Sequence, residues 1–153
     1  MTAVQAQPDA LELFTFVVGA HRYAVDLARV DEVLHDMAVE EEGHWAAPVR
    51  GCVVLRGERV PVVELRRCLA EAPAAESARP GLLVCWLGQR RVAFAMDGVG
   101  GVAQVAVGAL RLPREGEAPP GVVAVWAQPP ALHFLLDVLA LLRPNSPSAP
   151  KGG

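Results

Sequence analysis

The sequence has few of the features by which membrane, secreted and nucleic-acid-binding proteins are recognised. It contains no apolar run near the ~18 residues that cross a bilayer. Its net charge of −3 leaves no basic stripe for nucleic acid. The first ten residues, MTAVQAQPDA, have neither the basic start nor the apolar stretch of a signal peptide. We therefore expect a cytoplasmic protein that binds no nucleic acid and does not insert into a membrane.

Catalytic and metal-binding patterns are also missing. None of the four histidines has a second histidine or a carboxylate at the spacing of a metal site. There is no GxSxG motif or phosphate loop, and the glycines at 98–101 lack dinucleotide-binding spacing. Cys52, Cys68 and Cys85 form no CxxC pair, which predicts buried, reduced thiols. We expect no enzymatic activity, no metal and no cofactor; a small cytoplasmic β-barrel enzyme is the less favoured alternative.

What the sequence does have is an apolar composition, 52% hydrophobic, divided into short runs. Pairs of these runs flank short turn segments, which is the pattern of β-hairpins. Four hairpins are predicted, with turns at 19–22, 56–59, 88–91 and around Pro129-Pro130. The sequence is therefore mainly β.

Helices are predicted to be few and short. Residues 26–37 place Leu27, Val30, Val33 and Leu34 at helical spacing, with Asp26 as a plausible N-cap. Two further helices of one or two turns are predicted at 65–72 and 137–142.

An internal repeat organises these elements. GAHRYAVDLARVDEV, from Gly19, and GQRRVAFAMDGVGGV, from Gly88, share Gly, Arg, Ala, Val and Val at a spacing of 69 residues. The simplest reading is hairpin, connector, hairpin and short helix, used twice, and two similar small barrels would satisfy it. We expect one domain, with two pseudo-repeated halves that can swap strands, between two disordered ends. The boundaries are 1–10, disordered; 11–143, the domain, with halves of about 11–70 and 81–143 joined by a linker at 71–80; and 144–153, disordered.

The stretch GCVVLRGERVPVVELR, residues 51–66, contains the most distinctive turn. Gly57 in first place predicts a type II′ turn, with Arg56 and Arg59 at the strand ends beside it. A guanidinium there can bind a carboxylate or carbonyl group of a partner helix directionally. Pro61 has no N–H to donate, which predicts an edge strand.

Four stretches together carry a family resemblance. They are FTFVVGAHRYAVDLARVDEVL, VRGCVVLRGERVPVVELR, LGQRRVAFAMDGVGGVAQV and PPGVVAVWAQPPALHFLLDVLALL. The second is similar to a Gly-Val-x-Asn-Leu-Arg-Gly signature ending in Pro-Val-x-Asp-Leu-Arg. In this order, over about residues 11–143, they resemble the CheW-like coupling proteins of bacterial chemosensory systems.

The resemblance implies two SH3-like five-stranded β-barrel lobes packed on a shared core, with a few short helices. It implies a non-enzymatic adaptor that links the cytoplasmic tip of a methyl-accepting chemoreceptor to the regulatory domain of a histidine kinase. Other CheW-like proteins are further expected partners. The receptor groove of the family maps onto Val30, Glu32, Val33, Leu55, Arg56 and Gly57.

Two departures from the family pattern support an alternative. Val54 replaces the signature Asn, and the loop at 113–121 is several residues shorter than the family's. The family docks its kinase through this second half, so kinase binding is in doubt and no kinase-interface residue is assigned. The alternative is an accessory protein that binds receptors but not the kinase and modulates array assembly.

Overall fold

The computed structural model describes residues 9–41, 43 and 45–142. The expected disordered ends lie outside these ranges, apart from residues 9 and 10. The described residues form ten strands, two four-residue helices and two 3₁₀ turns. The strands are β1 Ala10–Val18, β2 His21–Asp26, β3 Val30–Leu34, β4 Val49–Leu55, β5 Glu58–Glu64, β6 Gly81–Leu87, β7 Arg90–Met96, β8 Gly98–Ala106, β9 Val122–Gln128 and β10 Ala131–Leu136. The helices are α1 Leu65–Cys68 and α2 Val138–Leu141, and the 3₁₀ turns are Leu27–Arg29 and Val107–Ala109.

The strands form two five-stranded sheets, each with strands from both halves of the chain. Lobe A has the order β8-β1-β2-β10-β9, and lobe B has the order β3-β6-β7-β5-β4. The chain therefore passes from lobe A to lobe B after β2 and returns after β7. The mainly β fold class with two five-stranded units is confirmed.

The buried side chains form three hydrophobic clusters. One is shared between the lobes and takes side chains from both sheets and both helices. The other two lie inside lobe B and inside lobe A. Strand β7 serves two of them, because Phe94 and Met96 face the shared core while Ala93 and Ala95 face the interior of lobe B. Burial on both faces explains why β7 is apolar without alternation.

The four predicted hairpins are present, but the predicted helix at 26–37 is wrong. Asp26 does cap a turn, accepting a hydrogen bond from the Ala28 amide at 3.0 Å, yet that turn ends at Arg29. Val30–Leu34 is a strand paired with β6. A bulge between Val30 and Glu32 adds one residue, so that Val30 and Val33 face the same side although they are three apart. This spacing is the helical one, and it misled the periodicity argument.

The turn between β4 and β5 also differs from the prediction. Its central residues are Arg56 and Gly57, with φ of 49° and 83°, because Leu55 pairs with Glu58. Positive φ at both positions defines a type I′ turn, not type II′. Pro61 is not on an edge strand either, since β5 lies between β7 and β4. The parallel pairing with β7 begins at Val62, one residue after the proline, where its missing N–H can be tolerated.

Candidate partner-binding site

The shared core is covered incompletely along the outer strand of lobe B. On β3, Val30 pairs with Cys85 and Val33 pairs with Leu83. Residues directly opposite each other in antiparallel strands project to the same face. Because Cys85 and Leu83 belong to the shared core, both valines extend its face, where they are only half-buried.

Strand β8 of lobe A also carries valines that extend the face of the shared core. Val99 pairs with Phe16 and Val102 pairs with Phe14, and both phenylalanines belong to the shared core. Val99 is 46% exposed and Val102 is 61% exposed. Val30, Val33, Val99 and Val102, here called the edge valines, therefore form an open apolar margin on both lobes. Uncovered apolar surface of this kind is typical of interaction sites.

A glycine bulge gives the β8 valines their common face. The pairing shifts between Thr15 and Phe16, opposite Gly101 and Val99. A Cβ atom on Gly100 would lie 2.2 Å from Oγ1 of Thr15, so glycine is required there. The Thr15 hydroxyl donates a hydrogen bond to the Gly101 carbonyl at 3.1 Å. Bulges are therefore present in the valine-bearing strands of both lobes. The valines that recur at a spacing of 69 residues in the sequence, Val30 with Val99 and Val33 with Val102, are the edge valines.

Arg56 reaches β3 at Glu32, which lies on the opposite face of the strand from Val30 and Val33 because it pairs with Val84 of the lobe B interior. Its Nη2 donates to Oε2 of Glu32 at 2.6 Å, and hydrogen bonding to this carboxylate raises the pKa of Arg56. Its side chain nevertheless remains 64% exposed. Two of the residues expected in the site, Glu32 on β3 and Arg56 in the β4–β5 turn, are therefore brought together.

The other expected residues have different positions. Gly57 is exposed at the turn, and its positive φ explains why glycine stands there. Leu55 is only 4% exposed and packs inside lobe B. Leu55 can therefore support the Arg56 turn from below, but it presents little surface to a partner.

A second ionic group closes the mouth of lobe B next to Arg56. Arg91 donates hydrogen bonds to Glu58 and, at 3.3 Å, to Asp31. Its guanidinium lies over the ring of Trp86, 5.6 Å from the ring centroid. Both arginines on this side of the lobe are therefore bound to carboxylates, Arg56 to Glu32 and Arg91 to Glu58 and Asp31.

Arg50, which no sequence motif singled out, has a side chain that is only 1% exposed. It donates hydrogen bonds to Glu41 and Glu64, both at 3.1 Å, and to the Ser77 carbonyl. Its Nε lies 3.6 Å from Oε1 of Glu76. Arg50 thereby fastens the 71–80 linker to lobe B. A charge at the start of a strand as apolar as β4 was the available signal.

Metal clusters and membrane-spanning helices are both absent from the described residues. No group of three or more His, Cys, Asp or Glu that could hold a metal ion occurs among the described residues. No helix in that part of the chain is long and apolar enough to span a bilayer.

The paired five-stranded lobes define the class of this protein, a two-lobed β fold with strands exchanged around a shared core. The model of the CheW-like domain family matches residues 12–145, and the chain therefore belongs to that family. Members of this family are non-enzymatic coupling and scaffold proteins of chemotaxis. The expected membership of a family of chemotaxis scaffolds and adaptors is confirmed.

Two relatives show the range of the similarity. The chain is 27% identical over 100 residues to the chemotaxis protein CheW of Klebsiella aerogenes. The aligned region covers 65% of this chain and 60% of that protein. It thus spans less than two thirds of that curated relative. The crystal structure of the scaffolding protein TtCheW from Thermoanaerobacter tengcongensis matches with a TM-score of 0.78. The match covers 88% of this chain and 94% of that chain at 16% identity, a likeness of fold.

Proposed function

We propose that this protein is a cytoplasmic adaptor that binds the tip of a methyl-accepting chemoreceptor and couples it to the regulatory domain of a histidine kinase. The edge valines are the observation that carries this proposal. They leave apolar surface open on both lobes at once, and a helical hairpin presents apolar side chains at i, i+3, i+4 and i+7 that can fill such a margin.

Arg56 supplies the polar part of the proposed site. A non-glycine residue at φ 49° is unfavourable, and Asn, Asp or Gly is usual at this position of a type I′ turn. Backbone outliers of this kind cluster at functional sites. The guanidinium has more N–H groups than its bond to Glu32 uses, so it can also bind a carboxylate or carbonyl on the receptor.

One experiment tests the function. The protein is immobilised, and a receptor signalling domain and a kinase regulatory domain are offered separately. Retention of both is expected, and retention of neither would overturn the proposal. Val99→Glu should abolish receptor retention, whereas Val107→Glu should not. Val99 and Val107 are 46% and 48% exposed, so only their positions distinguish these two variants. Equal retention by both would contradict a site at the edge valines.

The accessory function remains the second candidate, and two observations favour it. Val54, which replaces the signature Asn, is 42% exposed. The short 113–121 loop is folded onto itself, because Glu117 accepts hydrogen bonds from the Arg111 guanidinium at 2.6 and 2.9 Å and from the Arg114 amide at 2.8 Å. In the same experiment, retention of the receptor domain alone would identify this function.

A further inference from the structure

Polar groups of lobe B hold the β1–β2 turn of lobe A from two sides. On one side, the Gly19 amide donates to Oδ2 of Asp97 at 2.6 Å, and Nη2 of Arg66 donates to the same oxygen at 2.6 Å. Asp97 is the residue at which the chain returns from β7 to β8, and its own amide donates to the Val17 carbonyl at 2.8 Å. One aspartate therefore ties the turn to the strand crossover.

Glu71, at the start of the linker, holds the same turn from the other side. Its carboxylate accepts hydrogen bonds from the Tyr23 hydroxyl at 2.5 Å, from Nδ1 of His21 at 2.7 Å and from the Ala20 amide at 3.1 Å. Burial raises the pKa of Glu71, but these hydrogen bonds outweigh it and leave the pKa below its usual value. The side chain is only 5% exposed, so the contact is well sheltered from water.

Gly19 fits this contact closely. A Cβ atom at Gly19 would lie 2.4 Å from Oε1 of Glu71. Gly88 occupies the equivalent turn of lobe B, between β6 and β7, and has nearly the same φ, 67° against 60°. A Cβ atom at Gly88 would meet nothing within 4 Å. The close approach is therefore specific to the turn that crosses between the lobes.

We propose that Asp97, Arg66 and Glu71 act as an inter-lobe latch that sets the angle between the lobes and thereby the separation of the two pairs of edge valines. Val30 and Val33 move with lobe B, and Val99 and Val102 move with lobe A. Strand β8 begins at Gly98, directly after Asp97, so a shift at the latch is passed to the β8 valines. Control of partner binding by the latch rests on the proposed receptor function, whereas the lobe angle does not.

The two matched glycines provide the test. Gly19→Ala and Gly88→Ala impose similar backbone strain, but only Gly19→Ala places a methyl group against the Glu71 side chain of the latch. Residual dipolar couplings of backbone amides report the orientation of each lobe. In wild type and Gly88→Ala, the couplings of both lobes, fitted to the wild-type structure, should agree with one alignment tensor. In Gly19→Ala they should require two, and receptor retention should fall about fivefold or more relative to Gly88→Ala.

Each outcome decides a separate point. A single tensor in Gly19→Ala overturns the latch, whatever happens to binding. Two tensors with unchanged receptor retention overturn its control of the site. No retention by wild type, with two tensors in Gly19→Ala, overturns the proposed function and leaves the latch standing. If Gly19→Ala does not fold, it is replaced by Asp97→Asn, at a side chain that is 42% exposed, and the same tensor result is expected. The control is then Asp26→Asn, at the other point where the chain passes between the lobes.

Discussion

The hairpins β4–β5 and β9–β10 occupy the same place in the two lobes, yet they are built differently. Their central cross-strand pairs are Val53–Val60 in lobe B and Trp126–His133 in lobe A. The Trp126 and His133 rings stack with their centroids 4.8 Å apart, and both residues are buried. The interior of lobe A thus combines two large rings from one hairpin with aliphatic side chains of β1, β2 and β8, whereas the interior of lobe B is aliphatic.

The turns of the same two hairpins differ as well. Lobe A has Pro129-Pro130, and lobe B has Arg56-Gly57. The arginine reaches Glu32 on β3, while the proline pair has no charge to offer. The fold therefore does not require a charged turn, and this difference supports the proposed role of Arg56 in binding.

The largest effect on stability is expected at Arg50, the second residue of β4. Its equivalent in lobe A is Val123, the second residue of β9. Arg50→Met leaves the buried end of Glu64 without its cation. Burial already raises the pKa of Glu64, and Arg50 works against that rise. Removing one partner of a buried ion pair costs about 3–5 kcal/mol, so the free energy of unfolding should fall by about that amount, as measured in urea.

Val123→Met is the matched control, because Val123 is 45% exposed and its replacement leaves no charged group without a partner. Its free energy of unfolding should stay within about 0.5 kcal/mol of wild type. A loss of similar size in both variants would show that Arg50 acts through volume and not through its charge.

A smaller, pH-dependent effect is expected from His133, which stands where lobe B has Val60. Burial lowers the pKa of His133, nearby Arg22 lowers it further, and the buried Nδ1 has no hydrogen-bond partner among the residues described. As the pH falls through about 6.5, the unfolded chain binds a proton that the folded lobe resists. Stability should therefore decrease towards pH 5.5, by at most about 1.4 kcal/mol per pH unit, the value for one proton.

His133→Phe keeps a ring against Trp126 and removes the titration. Urea unfolding between pH 5.5 and 7.5 should then show a flatter dependence on pH than wild type. His35→Gln, at an exposed histidine, should leave the slope unchanged. A wild-type slope in His133→Phe would mean that His133 is protonated as easily in the folded protein as in the unfolded chain.

These contrasts also show what sequence can and cannot predict. The four hairpins were predictable, because each turn interrupts two apolar runs. Strand β3 was not, because its bulge sets Val30 and Val33 at helical spacing. The pairing of Glu32 with Arg56 and of Arg50 with Glu76 joins elements far apart in the chain, and no local pattern encodes such contacts. The exchange of strands could be foreseen only as an option, since the repeat fits exchanged and separate barrels alike.

The smallest effect on stability is expected for Arg56, the turn residue of lobe B that has no charged counterpart in lobe A. Arg56→Asn puts into the left-handed position a residue that accepts it readily, which offsets the loss of an exposed ion pair. The thermal midpoint should change by less than about 3 °C. Receptor retention should nevertheless fall about fivefold or more, because the planar cation bound to β3 at Glu32 is gone. Arg59→Asn is the control, since Arg59 lies in the same hairpin, is 71% exposed and approaches Glu40 only to 3.9 Å. Equal retention by the two variants would return Arg56 to the role of a solvated turn residue, and the asymmetry between the two hairpins would then lie in their interiors alone.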